Sequence, residues 1–182
     1  MADELIDIYN QNNKSLGLRK MKSEAHRDGL WHRASHVWIY NGKGEILLQL
    51  RAKGKDLYPD MWDVSAAGHI GAGEEPIVAA VRETGEEIGL SINSEDLDFL
   101  WVQKVNIVYD KMKNNEFQYV YLYKFCGDIE DLVLQKEEVA DIRFVSIGEI
   151  KDELEINSEK YVSRGNYWFE VMEEVGRRLS SN

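Results

Sequence analysis

The segment Leu5 to Asn10, LIDIYN, alternates apolar and polar positions, which predicts a strand at a sheet edge. The following KSEAHRDGLWHR is polar with scattered aromatics and reads as loop or a short helix. Two β-rich runs, Val37 to Tyr40 and Ile46 to Leu50, flank Asn41-Gly42-Lys43-Gly44 and predict a hairpin. The stretch KGKDLYPDMWDVSAAGH reads as a loop leading into a short strand, with Trp62 anchoring it. Strands are expected at 98–109 and 117–126 around the polar turn DKMK, and again at ADIRFVSI. IGEIKDEL reads as a short helix, and Ser158 to Leu179 as a longer one in spite of Gly165. This mixture of strands and helices defines an α/β or α+β class.

The clearest helix runs from Pro76 to Gly89. Pro76 suits its first turn, Glu74 and Glu75 suit its positive end, and Gly89 suits its cap. At about 100° per residue, Ile77, Val81, Thr84 and Ile88 form one stripe that should face the core. Glu83, Glu86 and Glu87 form a second stripe, pointing roughly 140° away. Ala79 and Ala80 lie beside this stripe and leave room around it. Like charges at that spacing repel by a few tenths of a kcal/mol per pair. The stripe is therefore either a solvated acidic face or a site where oxygen ligands converge on hard cations.

Composition narrows the choices. The 182 residues are 43% hydrophobic and 30% charged, which fits one folded domain spanning 1–182. A net charge of -11 argues against nucleic-acid or anionic-membrane partners. It leaves room for phosphorylated substrates, because carboxylates bind divalent cations and the cations bind phosphate. No run approaches the roughly 20 apolar residues of a membrane span. The acidic MADELIDIYN is unlike a secretory signal. With Cys126 the single cysteine, no disulfide forms within the chain, and the cytoplasm is the expected compartment.

The surroundings of the glutamates decide their reading. Gly68, Glu74 and the run Arg82-Glu83-Thr84-Gly85-Glu86-Glu87-Ile88-Gly89-Leu90 fit the pattern G-x5-E-x7-R-E-U-x-E-E-x-G-U, with Thr84 at a position that is usually aliphatic. This resembles the Nudix box. The resemblance implies an α/β/α sandwich with a mixed sheet, the box forming a loop-helix-loop. It implies hydrolysis of a diphosphate bond in a nucleoside-diphosphate-linked or other small molecule, using Mg2+ or Mn2+. Glu83, Glu86 and Glu87 become the metal ligands, with the Gly68 carbonyl as a further one. Arg82 orients the carboxylates, and Glu74 makes contacts within the loop.

The resemblance extends to one branch of the family. HRDGLWHRASHVWIYNGKGEILLQLRAKGKDLYPDMWDVSAAGHI, with YVSRGNYWFEVM near the C-terminus, is similar to type 1 isopentenyl-diphosphate isomerases and the hydrolases nearest them. Those isomerases bind a second metal through histidines and glutamates, which match His26, His32, His69 and Glu116 here. Imidazoles favour Mn2+, Zn2+ or Fe2+; the alternative is that these histidines bond loops or pack beside Gly68. The isomerases' catalytic cysteine is Ala67 here, and their second glutamate is Gln118. Both proton-transfer groups are missing, so the resemblance favours hydrolysis over isomerisation, and over a non-catalytic nucleotide sensor, which has no need of all three box glutamates.

Several residues stay open between surface and site. Glu137 and Glu138 precede a strand where many Nudix proteins place a metal-site glutamate. Arg51, Lys53 and Lys55 follow the hairpin and could meet phosphates, Arg51 foremost. Tyr167 and Trp168 read as core and His36 as a sheet residue. A homodimer is common among proteins that look like this one.

Overall fold

The computed structural model describes residues 3–109 and 112–180. The strands are β1 (Leu5–Tyr9), β2 (Ser15–Met21), β3 (Trp31–Asn41), β4 (Glu45–Arg51), β5 (Trp62–Asp63), β6 (Ala66–His69), β7 (Asp98–Tyr109), β8 (Met112–Phe125) and β9 (Val139–Ser146). The helices are α1 (Lys22–Asp28), α2 (Pro76–Ile88), α3 (Ile147–Ile156) and α4 (Tyr167–Ser180). The strands pair in the order β2-β1-β3-β4-β5, with β8 on β3, β7 on β8, β6 on β3 and β9 on β4. The β3–β8 pair is parallel and the others are antiparallel, so the sheet is mixed, as expected for an α/β protein.

Alternation along β3 builds both sides of this sheet. Trp38 and Tyr40 join a core with Tyr167, Trp168, Val171 and Met172 of α4. Val37 and Ile39 point the other way and join Ala80 and Ile88 of α2. Each fully buried aliphatic side chain here, such as Ile39 or Leu48, contributes about 1.5–3 kcal/mol. At its N-terminal half β3 carries His32, Ala34 and His36 on the Trp38 face, with His36 touching Tyr167 at the margin of that core.

Several boundaries differ from expectation. SLGLRKM forms β2, which covers β1, so β2 and not β1 is the edge. WHRAS belongs to β3, and His32 is a strand residue. The turn expected at 110–113 falls partly outside the described residues, and Met112 and Lys113 are already strand. The expected helix from Ser158 is broken: a short 3-10 turn at Ser158–Lys160 is followed by extended chain. Gly165 adopts φ 54°, a left-handed conformation that interrupts a right-handed helix, and α4 starts after it.

Candidate active site

On one edge β3 is paired with β6 from Ala34 to Val37 and then with β4 at Ile39 and Tyr40. Where β3 passes from one partner to the other, the two strands part. Glu87 of α2 reaches into this gap: its Oε2 accepts from the Ala67 backbone N–H of β6 at 3.0 Å and from Gln49 Nε2 of β4 at 3.2 Å. Glu83, one turn earlier, lies against Gly68, whose missing side chain leaves the space its carboxylate fills.

The second stripe of α2 is therefore not a solvated face. Glu83 and Glu87 are 8% and 4% exposed, and only Glu86 is open to solvent. Ala79 and Ala80 are fully buried beside them, while Ile77 and Val81 of the apolar stripe are half-buried. The rest of that stripe, Thr84 and Ile88, is fully buried, so the apolar stripe faces the core as expected, and the acidic stripe is covered as well, by β6 and β4. Burial pushes the Glu83 carboxyl up to about 7, against the pull of Arg82, and the Glu87 carboxyl up to about 8, against that of Lys55. Two buried acids held so close are costly as anions unless positive charge joins them.

Arg82 supplies part of that charge and fixes the box. Its guanidinium grips Glu74 through two bonds of 2.9 Å, donates to Glu83 at 2.6 Å and Glu86 at 3.1 Å, and donates to the His69 carbonyl at 3.0 Å. Glu74 in turn accepts from the Gly71 N–H.

Four elements bring His26 (α1), His32 (β3), His69 (β6) and Glu116 (β8) together. One ligand atom from each lies within 4.8 Å of all the others. His26 Nε2 is 3.3 Å from both His32 Nε2 and His69 Nε2, and Glu116 Oε1 is 3.5 and 3.6 Å from the latter two. His32 Nδ1 donates to the Leu30 carbonyl at 2.9 Å, which fixes the ring with its Nε2 facing the group. Gln118 Nε2 holds Glu116 from behind at 2.8 Å. Burial drives His26 down to about 4, so its imidazole is neutral near pH 7. Burial likewise holds His69 well below its ordinary value, and three imidazoles with a carboxylate are a donor set that fits a transition-metal ion.

His26, His69 and Glu116 of this group and the α2 glutamates face one cavity of about 380 Å3, while His32 is fully buried. Ala67, Gln118 and His36 line it too, as do Arg51, Lys55 and Glu138. Lys53 and Glu137 are exposed and do not line it, whereas Glu138 is buried and pairs with Lys55. Trp62 lies in β5, capped by the Arg143 guanidinium 4.1 Å from its ring.

Sequence reasoning missed an ion pair in the wall. Asp63, fully buried, receives two bonds from Arg164, at 2.7 and 2.8 Å, and one from Arg51 at 3.3 Å. Burial alone would raise this carboxyl, but the arginines hold it at about 2. Arg164 lies in YVSRGNYW, a segment that carried the resemblance without a role for this residue, and nothing local marks its partner 101 residues away.

Comparison with known proteins agrees with this geometry. The NUDIX domain profile matches residues 30–164. Nudix hydrolase 3 of Arabidopsis thaliana is 38% identical over 89% of this chain, which spans only 22% of that protein's length. An uncharacterised Nudix hydrolase of Clostridium acetobutylicum is 33% identical over 98% of this chain and 85% of its own. Isopentenyl-diphosphate Delta-isomerase of Serratia proteamaculans is 29% identical over 96% and 92%. Among solved structures, a Deinococcus radiodurans protein superposes with a TM-score of 0.67 at 17% identity, covering 96% of this chain and 98% of that one, which shows the shared fold. The chain belongs to the Nudix family. Its hydrolase relatives mark it as an enzyme of the Nudix pyrophosphohydrolase kind.

Proposed function

We propose that this protein hydrolyses a diphosphate linkage in a small molecule with the help of divalent cations, and that it does not isomerise isoprenoid diphosphates. The observation that carries this reading is the content of the cavity. The box glutamates face it together with His26, His69 and Glu116, while the two positions that move protons in the isomerases are filled by Ala67 and Gln118.

Glu83, Glu86 and Glu87, with the Gly68 carbonyl, would hold Mg2+ or Mn2+, hard ions suited to oxygen ligands. His26, His32, His69 and Glu116 would hold Mn2+, Zn2+ or Fe2+. When bound, such cations neutralise the diphosphate oxygens and acidify water. The chain's own groups do the rest. Arg51 and Lys55 draw the phosphates in, and Arg82 keeps Glu83 and Glu86 in place. A carboxylate lining the cavity takes the proton from the attacking water, and Glu138 stands among the glutamates able to do so.

The substrate is a small molecule and not a nucleic acid or a membrane, in keeping with the net charge of -11. Among the described residues no helix is long and apolar enough to cross a membrane. A single cysteine suits a reducing compartment, so a cytoplasmic setting, in a monomer or homodimer, is part of this reading.

The test is a screen of nucleotide sugars, dinucleotides, CoA, thiamine diphosphate and isoprenoid diphosphates with Mg2+ and Mn2+, following released phosphate or monophosphate. Metal-dependent cleavage of at least one class supports the reading. Cleavage of none, by protein that is folded and metal-loaded, would sink it.

A further inference from the structure

We infer that His36 is a substrate-binding residue of this cavity: a neutral imidazole fixed with its proton on Nε2, which it donates to an oxygen of the bound diphosphate. The inference rests on the reading of the cavity as a diphosphate site and adds a residue that neither the box nor the histidine group contains.

The protonation follows from a count of donors along a buried chain. Trp38 Nε1 can only donate, and it donates to the Tyr167 hydroxyl at 2.9 Å. The same hydroxyl lies 3.0 Å from His36 Nδ1. Tyr167 is 2% exposed and has one proton to give. If Nδ1 accepts that proton, all three groups are satisfied. If Nδ1 carried a proton of its own, the hydroxyl would receive two donors. Its proton would then have no partner among the described residues, a costly state for a buried group. The arrangement therefore selects the tautomer with Nδ1 as acceptor and Nε2 as the N–H.

Strand alternation places this ring. His36 lies on the same face of β3 as His32 and Ala34, and its register partner on β6 is Ala67. It lines the cavity, and with Nδ1 taken, Nε2 is the nitrogen left for a ligand. It stands outside the converging group of His26, His32, His69 and Glu116. A nitrogen that bears a proton cannot ligate a metal, so His36 serves the anion and not the cation. Its charged neighbours are Arg164, Glu116, Asp63 and Arg51. Asp63 already holds Arg164 through two bonds, whereas the His36 N–H is free to point at phosphate. Burial keeps the ring neutral. The contact thus supplies direction more than charge, and the ring is held on a central strand with its tilt set by Tyr167.

The experiment uses the full chain labelled with 15N and inorganic pyrophosphate with Mg2+ as the probe. Long-range 1H–15N correlation should show His36 near pH 7 with a proton on Nε2 and none on Nδ1. Adding the probe should move the Nε2 signal more than the Nδ1 signal. His36→Gln places an amide N–H near the Nε2 position, and its pyrophosphate affinity should stay within about threefold of the native value. His36→Asn places its amide near Nδ1 and should bind about tenfold more weakly or worse, the loss of one hydrogen bond to a charged group. A proton found on Nδ1, an Nε2 signal indifferent to the probe, or equal weakening in both variants would overturn the assignment. Binding through His36 in a protein that cleaves no diphosphate would overturn the hydrolase reading and leave this one standing.

Discussion

Gly68 and Glu83 share a single volume: a Cβ built on Gly68 falls on the Glu83 carboxyl group. The glycine of the box is thus a steric requirement of its first helix glutamate. Gly68→Ala should push the end of a flexible side chain aside without disturbing the sheet. Turnover should fall about a hundredfold, the scale of a misplacement near 1 Å, while the melting temperature stays within a few degrees. Kinetics and thermal denaturation of the same preparation check this. A fully active variant would show that Glu83 has no fixed role.

Glu87→Gln should lower turnover at least about a hundredfold, by removing a negative ligand from the cation site. It should not harm the fold. A glutamine oxygen still accepts from Ala67 and Gln49, and burial already makes the carboxylate costly. In metal-free protein near pH 8 the variant should melt at or above the native temperature. Mg2+ should stabilise the native protein more than the variant. A variant that melts well below native protein in EDTA would contradict this picture of Glu87.

Protein loaded with Mn2+ or Zn2+ should keep the ion through dialysis, and His32→Ala should lose it. The reason is geometric: His32 Nε2 meets both His26 and Glu116, and its ring is locked from behind by Leu30. Elemental analysis of both proteins decides. Equal metal content in the two, or none in either, would return these histidines to a structural role.

Asp63 offers a test by pH. Its carboxyl sits at about 2 in the fold, below its ordinary 3.8. A depressed acid adds stability that is complete above the unfolded value and is lost as pH falls through the folded one. Asp63→Asn should therefore cost about 3–5 kcal/mol near neutral pH, since it strands Arg164 beside a neutral partner. The gap between native and variant should narrow by about 2 kcal/mol as pH drops from 4 to 2. Urea unfolding across that range measures it, and a gap independent of pH would mean the pair is not held as an ion pair.

Isopentenyl and dimethylallyl diphosphate should not interconvert on this protein. Isomerisation needs one group to protonate the double bond and another to remove a proton. Ala67 has no ionisable atom, and the Gln118 amide, which donates to Glu116, does not titrate in this pH range. Ala67→Cys alone should not restore the reaction. Proton NMR in deuterated water with Mg2+ would reveal any exchange, and enzyme-dependent deuterium in the product would refute this.

Sequence alone determined the strand at LIDIY, the hairpin of β3 and β4, the long β7 and the helix from Pro76. Each rests on a period or a cap decided by neighbours a few residues away. The box glutamates were also legible, because their spacing is a local property, and the histidine candidates were named by the resemblance to the isomerase branch. Tertiary structure alone decided that both stripes of α2 are covered. The apolar stripe of Ile77, Val81, Thr84 and Ile88 faces the core as expected, and packing against β6 and β4 buries Glu83 and Glu87 as well. It also decided where the long C-terminal helix starts, after Gly165 in its left-handed conformation. His26, His32, His69 and Glu116 come from four elements, and His36 meets Tyr167 across 131 residues. Such meetings leave no period in the chain. The energy of a buried charge or a shared proton depends on partners that only the folded sheet brings within 3 Å.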